Sequence, residues 1–367
     1  MKNGIRLSAL GGVILAGALS LSACGSDDNT DGTAAPANTG DCVAATVNAA
    51  GSSAQKNAMD EWIKNYTANC SGATLNYNPS GSGAGIEAFN SGQAVFAGSD
   101  SALDAEEAAA ARKRCVDGPA LNLPMVVGPV AVAYNLDGVD ALQLSPETLA
   151  KIFANQITTW DDAAIKADNP GVDLPGDKIT TVHRADESGT TDNFTKYLAA
   201  AAPDVWKFEG GKLWTAPGGQ GGTKSDGVTT LVKQSKGAIG YVELSYAENA
   251  GIPTAKIKNG AGEYAGLTTD TASKALSGAK VVGTGNDLAM ELDYNTKTPG
   301  AYPIVMLTYE IACESGMSGD EGKFVKAFLS YTASAEGQQA IAGLGYAPLP
   351  EDVAAKVRAS VDAVQVK

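Results

Sequence analysis

The chain has 367 residues, 44% of them hydrophobic and 19% charged, a composition that excludes disorder as the state of the whole chain. That length accommodates about two domains. A formal charge of −14 argues against nucleic acid and against anionic lipid headgroups as partners.

Taken in chain order, the first segment is a targeting signal. Lys2 and Arg6 supply its positive region, residues 7–21 its apolar core, and Leu21-Ser22-Ala23-Cys24 closes it with small residues. Leu-Ser-Ala-Cys resembles the bacterial lipoprotein box, in which the Cys is acylated and becomes the mature N-terminus. Residues 1–23 are therefore expected to be a signal peptide and Cys24 the lipid-bearing residue. The apolar run is broken by glycines and short for a spanning helix, and no later window approaches one. Residues 24–41 are polar, small and aperiodic, and read as a flexible tether. The expectation is a folded body anchored by lipid at the extracytoplasmic face of the cell membrane. Losing Lys2 and Arg6, two positive charges, with the signal takes the formal charge from −14 to −16. Any anion such a body binds must be held by local dipoles rather than by its overall field.

Residues 42–48 read as a first strand, followed by Gly51-Ser52-Ser53 and a helix carrying Met59, Trp62, Ile63 and Tyr66 on one face. Residues 74–78 form a short strand, and Ser80-Gly81-Ser82-Gly83-Ala84-Gly85 leads into a helix with Ile86 and Phe89 on its apolar side. Another strand is expected over 93–97, ended by Gly98-Ser99-Asp100-Ser101 before an Ala/Glu-rich helix over 104–114. Strands alternating with helices imply parallel βαβ units, whose strand C-termini gather at one edge, where open α/β sheets bind ligands. Residues 121–134 are apolar but contain Pro124, Gly128 and Pro129, too interrupted for one central strand, and read as a crossover between domains. Ser145-Pro146-Glu147 starts a helix bearing Leu149, Ile152 and Phe153. Trp160 belongs to a second core.

The densest chemistry lies in His183-Arg184-Ala185-Asp186-Glu187-Ser188-Gly189-Thr190-Thr191. A β-branched strand over 178–182 precedes it, and Thr191, Phe194, Thr195, Tyr197 and Leu198 follow at helical spacing, so Ser188-Gly189-Thr190 forms a helix's first turn. The first N–H groups of a helix lack intrahelical partners and carry the positive end of its dipole, and Gly189 has no side chain to hold an anion off. Arg184 adds a planar fork of donors, with Asp186 near enough in sequence to orient it. The plain alternative is a surface turn with an N-cap Ser and a local ion pair. Beyond it come a Gly-rich loop at 217–223, a helix over 226–234, strands over 237–242 and 303–311, a helix face of Phe324, Val325, Phe328 and Leu329, and a last helix over 350–364.

Catalytic readings find little to stand on. There is one histidine, His183, and no Gly-x-Ser-x-Gly elbow, P-loop or dinucleotide fingerprint. His183 reads as a space-filling neighbour of Arg184. No metal site or cofactor is expected, and no catalytic residue is assigned.

Three Gly/Ser turns at helix starts, one Arg and one strand-terminal Asp occur in an order that resembles the phosphate-binding component of the bacterial high-affinity phosphate ABC importer, the PstS family. The likeness is sharpest in Arg184-Ala185-Asp186-Glu187-Ser188-Gly189-Thr190-Thr191, Gly81-Ser82-Gly83-Ala84-Gly85, Gly98-Ser99-Asp100 and Gly237-Ala238-Ile239-Gly240-Tyr241-Val242-Glu243. It implies an α/β chain of the two-domain periplasmic-binding-protein type, class II-like, with the ligand in the interdomain cleft. The domains would be 42–127 with 308–367, and 131–303. It further implies that Ser53 gives a hydroxyl, Ala54 a backbone N–H, Ser82 a hydroxyl and N–H, Asp100 an acceptor and Arg184 the cationic fork. Ser188, Gly189 and Thr190 would be the helix-terminal donors, with Asp186 orienting Arg184. Ala54 departs from the family, many of whose members carry an aromatic residue there, as does His183, where a second Arg is frequent. The implied function is binding of inorganic phosphate by hinge closure and delivery to the transmembrane subunits of an ABC permease, by a monomer. Alternatives are a phosphohydrolase using the same cradle, or a binder of another tetrahedral oxyanion such as sulfate. Against sulfate stands Asp100, whose other reading is a cap on the helix that follows it.

With Cys24 given to lipid, Cys42, Cys70, Cys115 and Cys313 remain, and export favours two disulfides over metal ligation. Three pairings are open. Cys42 and Cys70 precede strands expected to be parallel neighbours, while Cys115 precedes the passage to the second domain and Cys313 follows the return. The expected bridges are Cys42–Cys70 and Cys115–Cys313.

Overall fold

The structure, a computed structural model, describes residues 42–116 and 118–367. The signal peptide, Cys24 and the tether lie outside the described residues.

The strands are β1 (Thr46–Gly51), β2 (Thr74–Asn78), β3 (Ala97–Ser99), β4 (Ala120–Tyr134), β5 (Gln143–Leu144), β6 (Thr180–Arg184), β7 (Gln220–Gly222), β8 (Ala238–Glu243), β9 (Lys256–Lys258), β10 (Tyr264–Ala265), β11 (Lys280–Val281), β12 (Met290–Glu291) and β13 (Val305–Cys313). The helices are α1 (Lys56–Asn69), α2 (Ser82–Asn90), α3 (Ala105–Arg114), α4 (Pro146–Phe153), α5 (Ala163–Asp168), α6 (Gly189–Ala201), α7 (Lys224–Gln234), α8 (Leu244–Ala250), α9 (Thr269–Ala275), α10 (Gly319–Thr332), α11 (Ala335–Ile341) and α12 (Glu351–Ala363). Eight strands form one curled sheet in the order β2-β1-β3-β13-β4-β8-β6-β7. β1 runs parallel to β2 and β3, and β6 runs parallel to β7 and β8. β13 and β4, antiparallel to each other, join these two parallel halves.

The apolar core is not continuous. One cluster gathers Trp62, Tyr66, Phe89, Phe96, Leu121 to Val127, Phe324 and Phe328, with Ala272, Leu276 and Leu288 joining it. A second gathers Val130, Val132, Tyr134, Phe153, Trp160, Phe194, Tyr197 and Tyr241, and a smaller third lies under α7 and α8. β4 serves the first cluster with residues up to Val127, then the second with Val130, Val132 and Tyr134 and the third with Ala131 and Ala133, so it carries the chain from the first core to the other two. Trp160 sits in the second core, as its sequence position implies.

Four expectations are corrected. Residues 121–134 are a crossover, but they are also one unbroken strand. The prolines are tolerated because β8 pairs with β4 only from Val130 onward, leaving Pro124 and Pro129 with β13 on one side. At Pro124 the register also shifts, between Thr308 and Tyr309, so Met125 is an extra residue that bends the pair. The expected strand at 93–97 is mostly turn, and β3 occupies Ala97–Ser99 instead. The first strand begins later, at Thr46, and runs to Gly51. Part of the Gly-rich loop, Gln220–Gly222, pairs with β6 as an edge strand. Both disulfides form as expected, Cys42–Cys70 and Cys115–Cys313, each with a Cα–Cα separation of 5.3 Å.

Candidate functional site

Five segments that follow strand C-termini meet between the two cores. Gly51 of β1 is followed by Ser52, Ser53 and Ala54; Asn78 of β2 leads to Ser82; Ser99 of β3 leads to Asp100; Arg184 of β6 leads to Ser188; and Gly222 of β7 leads to Lys224 and Ser225. Ser53, Ala54, Ser82, Asp100, Arg184, Ser188 and Thr190 are all at most 3% exposed, and Gly189 is buried with them. The structure thus brings together every residue singled out in the sequence for this site.

Arg184 ends β6 with its backbone N–H donating to the Tyr241 hydroxyl at 3.1 Å. Tyr241 is itself fixed by stacking on Phe194, with ring centroids 4.4 Å apart. The Arg184 side chain binds Asp186 through two atoms, Nε to Oδ1 at 2.8 Å and Nη2 to Oδ2 at 2.5 Å. This side-on pair leaves Nη1 without a protein partner among the described residues. Burial alone would raise the Asp186 carboxyl, but the hydrogen bonds and charge of Arg184 hold it below the usual carboxylate range. The fork is thereby oriented by a carboxylate that stays ionised.

Ser188 is the N-cap of α6, its side chain accepting from the Thr191 N–H. Gly189 opens the helix where no side chain fits. A Cβ there would lie 2.7 Å from the Asp100 Cβ and 2.8 Å from the Ser82 Oγ. That close approach lets the Gly189 N–H donate to the Ser82 hydroxyl at 3.1 Å, the same oxygen that accepts the Asp100 N–H at 3.3 Å.

Asp100 is ringed by hydroxyls. Ser52 and Thr308 donate to its Oδ1 at 2.5 and 3.1 Å, and Thr190 donates to its Oδ2 at 3.1 Å. Asn193, one turn into α6, donates to its backbone carbonyl at 2.7 Å. Burial raises the Asp100 carboxyl above the usual range, although the Ser52 hydroxyl, the charge of Arg184 and the Thr190 and Thr308 hydroxyls all pull it back. The helix-cap reading of Asp100 fails, since α3 is capped by Asp104 in a capping box with Glu107. A buried carboxylate and a buried guanidinium, close enough for the charge of one to act on the other, therefore lie among hydroxyls and helix-terminal N–H groups. Such a set of groups suits a small oxyanion that both accepts hydrogen bonds and donates one.

His183 lies beside the site rather than in it, stacked on Trp214 with centroids 5.1 Å apart and its Nδ1 2.9 Å from the Arg184 carbonyl. Sequence reasoning missed Ser52, Thr308, Asn193, Tyr241 and Ser225. Thr308 carried a faint signal, a polar residue in the apolar run of β13. Ser52 and Tyr241 lie inside stretches that stand out in the sequence, Gly51-Ser52-Ser53 and Gly237 to Glu243, but no site role is read for them there; Asn193 and Ser225 are placed by tertiary contacts that leave no spacing to read. Among the described residues no group of His, Cys, Asp and Glu is arranged to hold a metal ion, and no helix is long and apolar enough to cross a membrane.

This fold is that of an α/β binding protein, and the family model matching residues 36–336 is that of the PBP superfamily domain. The chain is 44% identical over 98% of its length, and 99% of the relative's, to phosphate-binding protein PstS 3 of Mycobacterium tuberculosis. It is 32% identical over 85% of its length, and 84% of the relative's, to phosphate-binding protein PstS of Xylella fastidiosa. Among solved structures, a phosphate binding protein from Stenotrophomonas maltophilia shares its fold with a TM-score of 0.67 at 20% identity, over 86% of this chain and 94% of the other. The chain belongs to the PstS family of phosphate-binding proteins.

Proposed function

We propose that the protein captures inorganic phosphate outside the membrane and hands it to the transmembrane subunits of an ABC permease, closing its two domains over the anion. The observation that carries this reading is the burial of Arg184 and Asp100 within reach of each other's charge. A guanidinium alone would suit any oxyanion. A carboxylate beside it repels an anion unless the anion carries a proton to donate, which hydrogen phosphate does at neutral pH and sulfate does not. In this reading Ser53 gives a hydroxyl, Ala54 a backbone N–H, Ser82 a hydroxyl and N–H, and Ser188, Gly189 and Thr190 the helix-terminal donors, while Arg184 gives the fork and Asp186 orients it. The anion takes over the Ala54 and Gly189 N–H groups from Ser52 and Ser82, to which they donate without it.

The proposed domains, 42–127 with 308–367 and 131–303, place Ser53, Ser82 and Asp100 on one side and Arg184 to Thr190 on the other. Only the closed form then makes all the contacts, which is what drives closure. Each charge-assisted hydrogen bond contributes about 1.5–3 kcal/mol, while a micromolar site needs only about −8 kcal/mol in total. Desolvating the anion and closing the domains absorb the difference. The protein would act as a monomer, tethered by lipid on Cys24. A phosphohydrolase reading lacks support, since His183 is stacked on Trp214 and held by a carbonyl instead of being paired with a nucleophile. Isothermal titration with phosphate and sulfate tests the proposal. Phosphate should bind with micromolar or tighter affinity and raise the unfolding temperature, and Arg184→Ala should abolish most of both effects while the unliganded fold persists. Wild-type affinity in that variant would place the site elsewhere.

A further inference from the structure

The first turn of α7 reaches the site by an unusual route. Its N-cap, Thr223, makes no side-chain capping bond. Two of the N–H groups that open this helix, without intrahelical partners, bond elsewhere: that of Lys224 donates to Asp186 Oδ1 at 2.9 Å, and that of Ser225 donates to Ser53 Oγ at 3.1 Å. Ser225 Oγ also lies 3.0 Å from Ser53 Oγ, and Ser225 is 1% exposed. Lys224 holds φ at +60°, a left-handed conformation that residues with a side chain seldom adopt and that persists only where the surroundings enforce it. One strained corner thus serves two groups of the site, the carboxylate that orients Arg184 and the hydroxyl of Ser53. In the proposed domain division those two groups lie on opposite sides of the cleft.

We propose that Ser225 is a positioning residue for phosphate capture, acting through Ser53. A hydroxyl has one hydrogen and two lone pairs. The Ser225 N–H occupies one lone pair of Ser53, and the Ser225 hydroxyl can occupy the other. The single hydrogen of Ser53 is then left to point at the anion. Because the adjacent Lys224 N–H holds Asp186, and Asp186 holds Arg184, this arrangement of Ser53 is completed only when the two sides of the cleft are together. The seating of Ser53 is thereby tied to closure. The inference rests on the phosphate-binding reading above.

A double-mutant cycle on the full chain tests it, with phosphate affinity as the readout and thermal unfolding without phosphate as the control for folding. Ser225→Ala should weaken phosphate binding about five- to tenfold, the worth of one hydrogen bond, and Ser225→Thr, which keeps the hydroxyl, should restore it at least in part. Ser53→Ala should weaken binding at least as much, and the double variant should be no weaker than Ser53→Ala alone, since the effect of Ser225 passes through Ser53. Losses that multiply in the double variant would overturn the proposal, as would wild-type affinity in Ser225→Ala. If Ser225→Ala fails to fold, Ser225→Cys, similar in size and a poor donor, takes its place in the same cycle. Failure of the underlying reading is separately visible: wild-type protein would then bind no phosphate, or Arg184→Ala would bind it unchanged.

Discussion

At the scale of single residues, Asp100 is the group to which the proposed function gives the choice of anion. Its carboxylate accepts from three hydroxyls, yet burial still raises its pKa, so the ionised form is held at a cost that a hydrogen-bond donor on the ligand would offset. Asp100→Asn replaces an acceptor with a group that can donate to a fully ionised oxyanion. The variant should lose discrimination against sulfate, with phosphate affinity changing much less than selectivity, measured by titration at equal pH and ionic strength. Unchanged rejection of sulfate would remove Asp100 from its selecting role. The same substitution has a second readout. A carboxyl whose folded pKa is raised adds stability while protonated and loses that contribution as pH rises through the raised value. Asp100 should therefore make unliganded wild-type protein lose stability as pH rises above the usual carboxylate range. Glu243 and Glu310, also raised by burial, add to the same trend, so Asp100→Asn should flatten that slope without abolishing it.

At the scale of elements, the site depends on how closely the start of α6 approaches β3 and α2. Gly189→Ala would place a methyl within van der Waals overlap of Asp100 and Ser82. Because these atoms belong to different segments, the expected response is separation of α6 from Ser82. Phosphate affinity should fall by tenfold or more, on the scale of overpacking costs of about 1–3 kcal/mol, while the far-ultraviolet circular dichroism stays that of the wild type. An Ala variant with wild-type affinity would show that the approach is not needed for binding. Much of this was legible in the sequence, because α1, α2, α4, α6 and α10 are amphipathic and punctuated by Gly, Ser and Pro, signals that are local. β4 was not legible as a strand, since the tolerance of Pro124 and Pro129 depends on where β8 begins to pair. Neither was Ser225, because its partner Ser53 lies 172 residues away and only the folded chain brings them together.

At the scale of the whole molecule, the proposed closure makes affinity depend on how strongly the closed state is favoured, and one contact between the two proposed domains bears on that directly. Lys212 Nζ lies 2.5 Å from Glu107 Oε1, joining the segment after α6 to α3, and the two side chains are only 13% and 20% exposed. Both residues line a cavity of about 590 Å³ with Asp192 and Lys196, so the pair sits where the two proposed domains face each other. If the pair forms only when the domains meet, it stabilises the closed state alone and slows release of the anion without touching it. An ion pair at the surface contributes about 0–1 kcal/mol, and this partly shielded one is expected near the upper end. Lys212→Met should therefore speed phosphate release about threefold to fivefold, with little change in the association rate. Rising salt should weaken wild-type binding more than that of the variant, because screening acts on a charge pair that the variant lacks. Exchanging the charges, Lys212→Glu with Glu107→Lys, should bring the release rate back toward wild type, whereas either change alone should not. Stopped-flow release measurements on these variants decide the matter. A release rate unchanged in Lys212→Met would mean that the pair persists in the open protein or contributes nothing to closure.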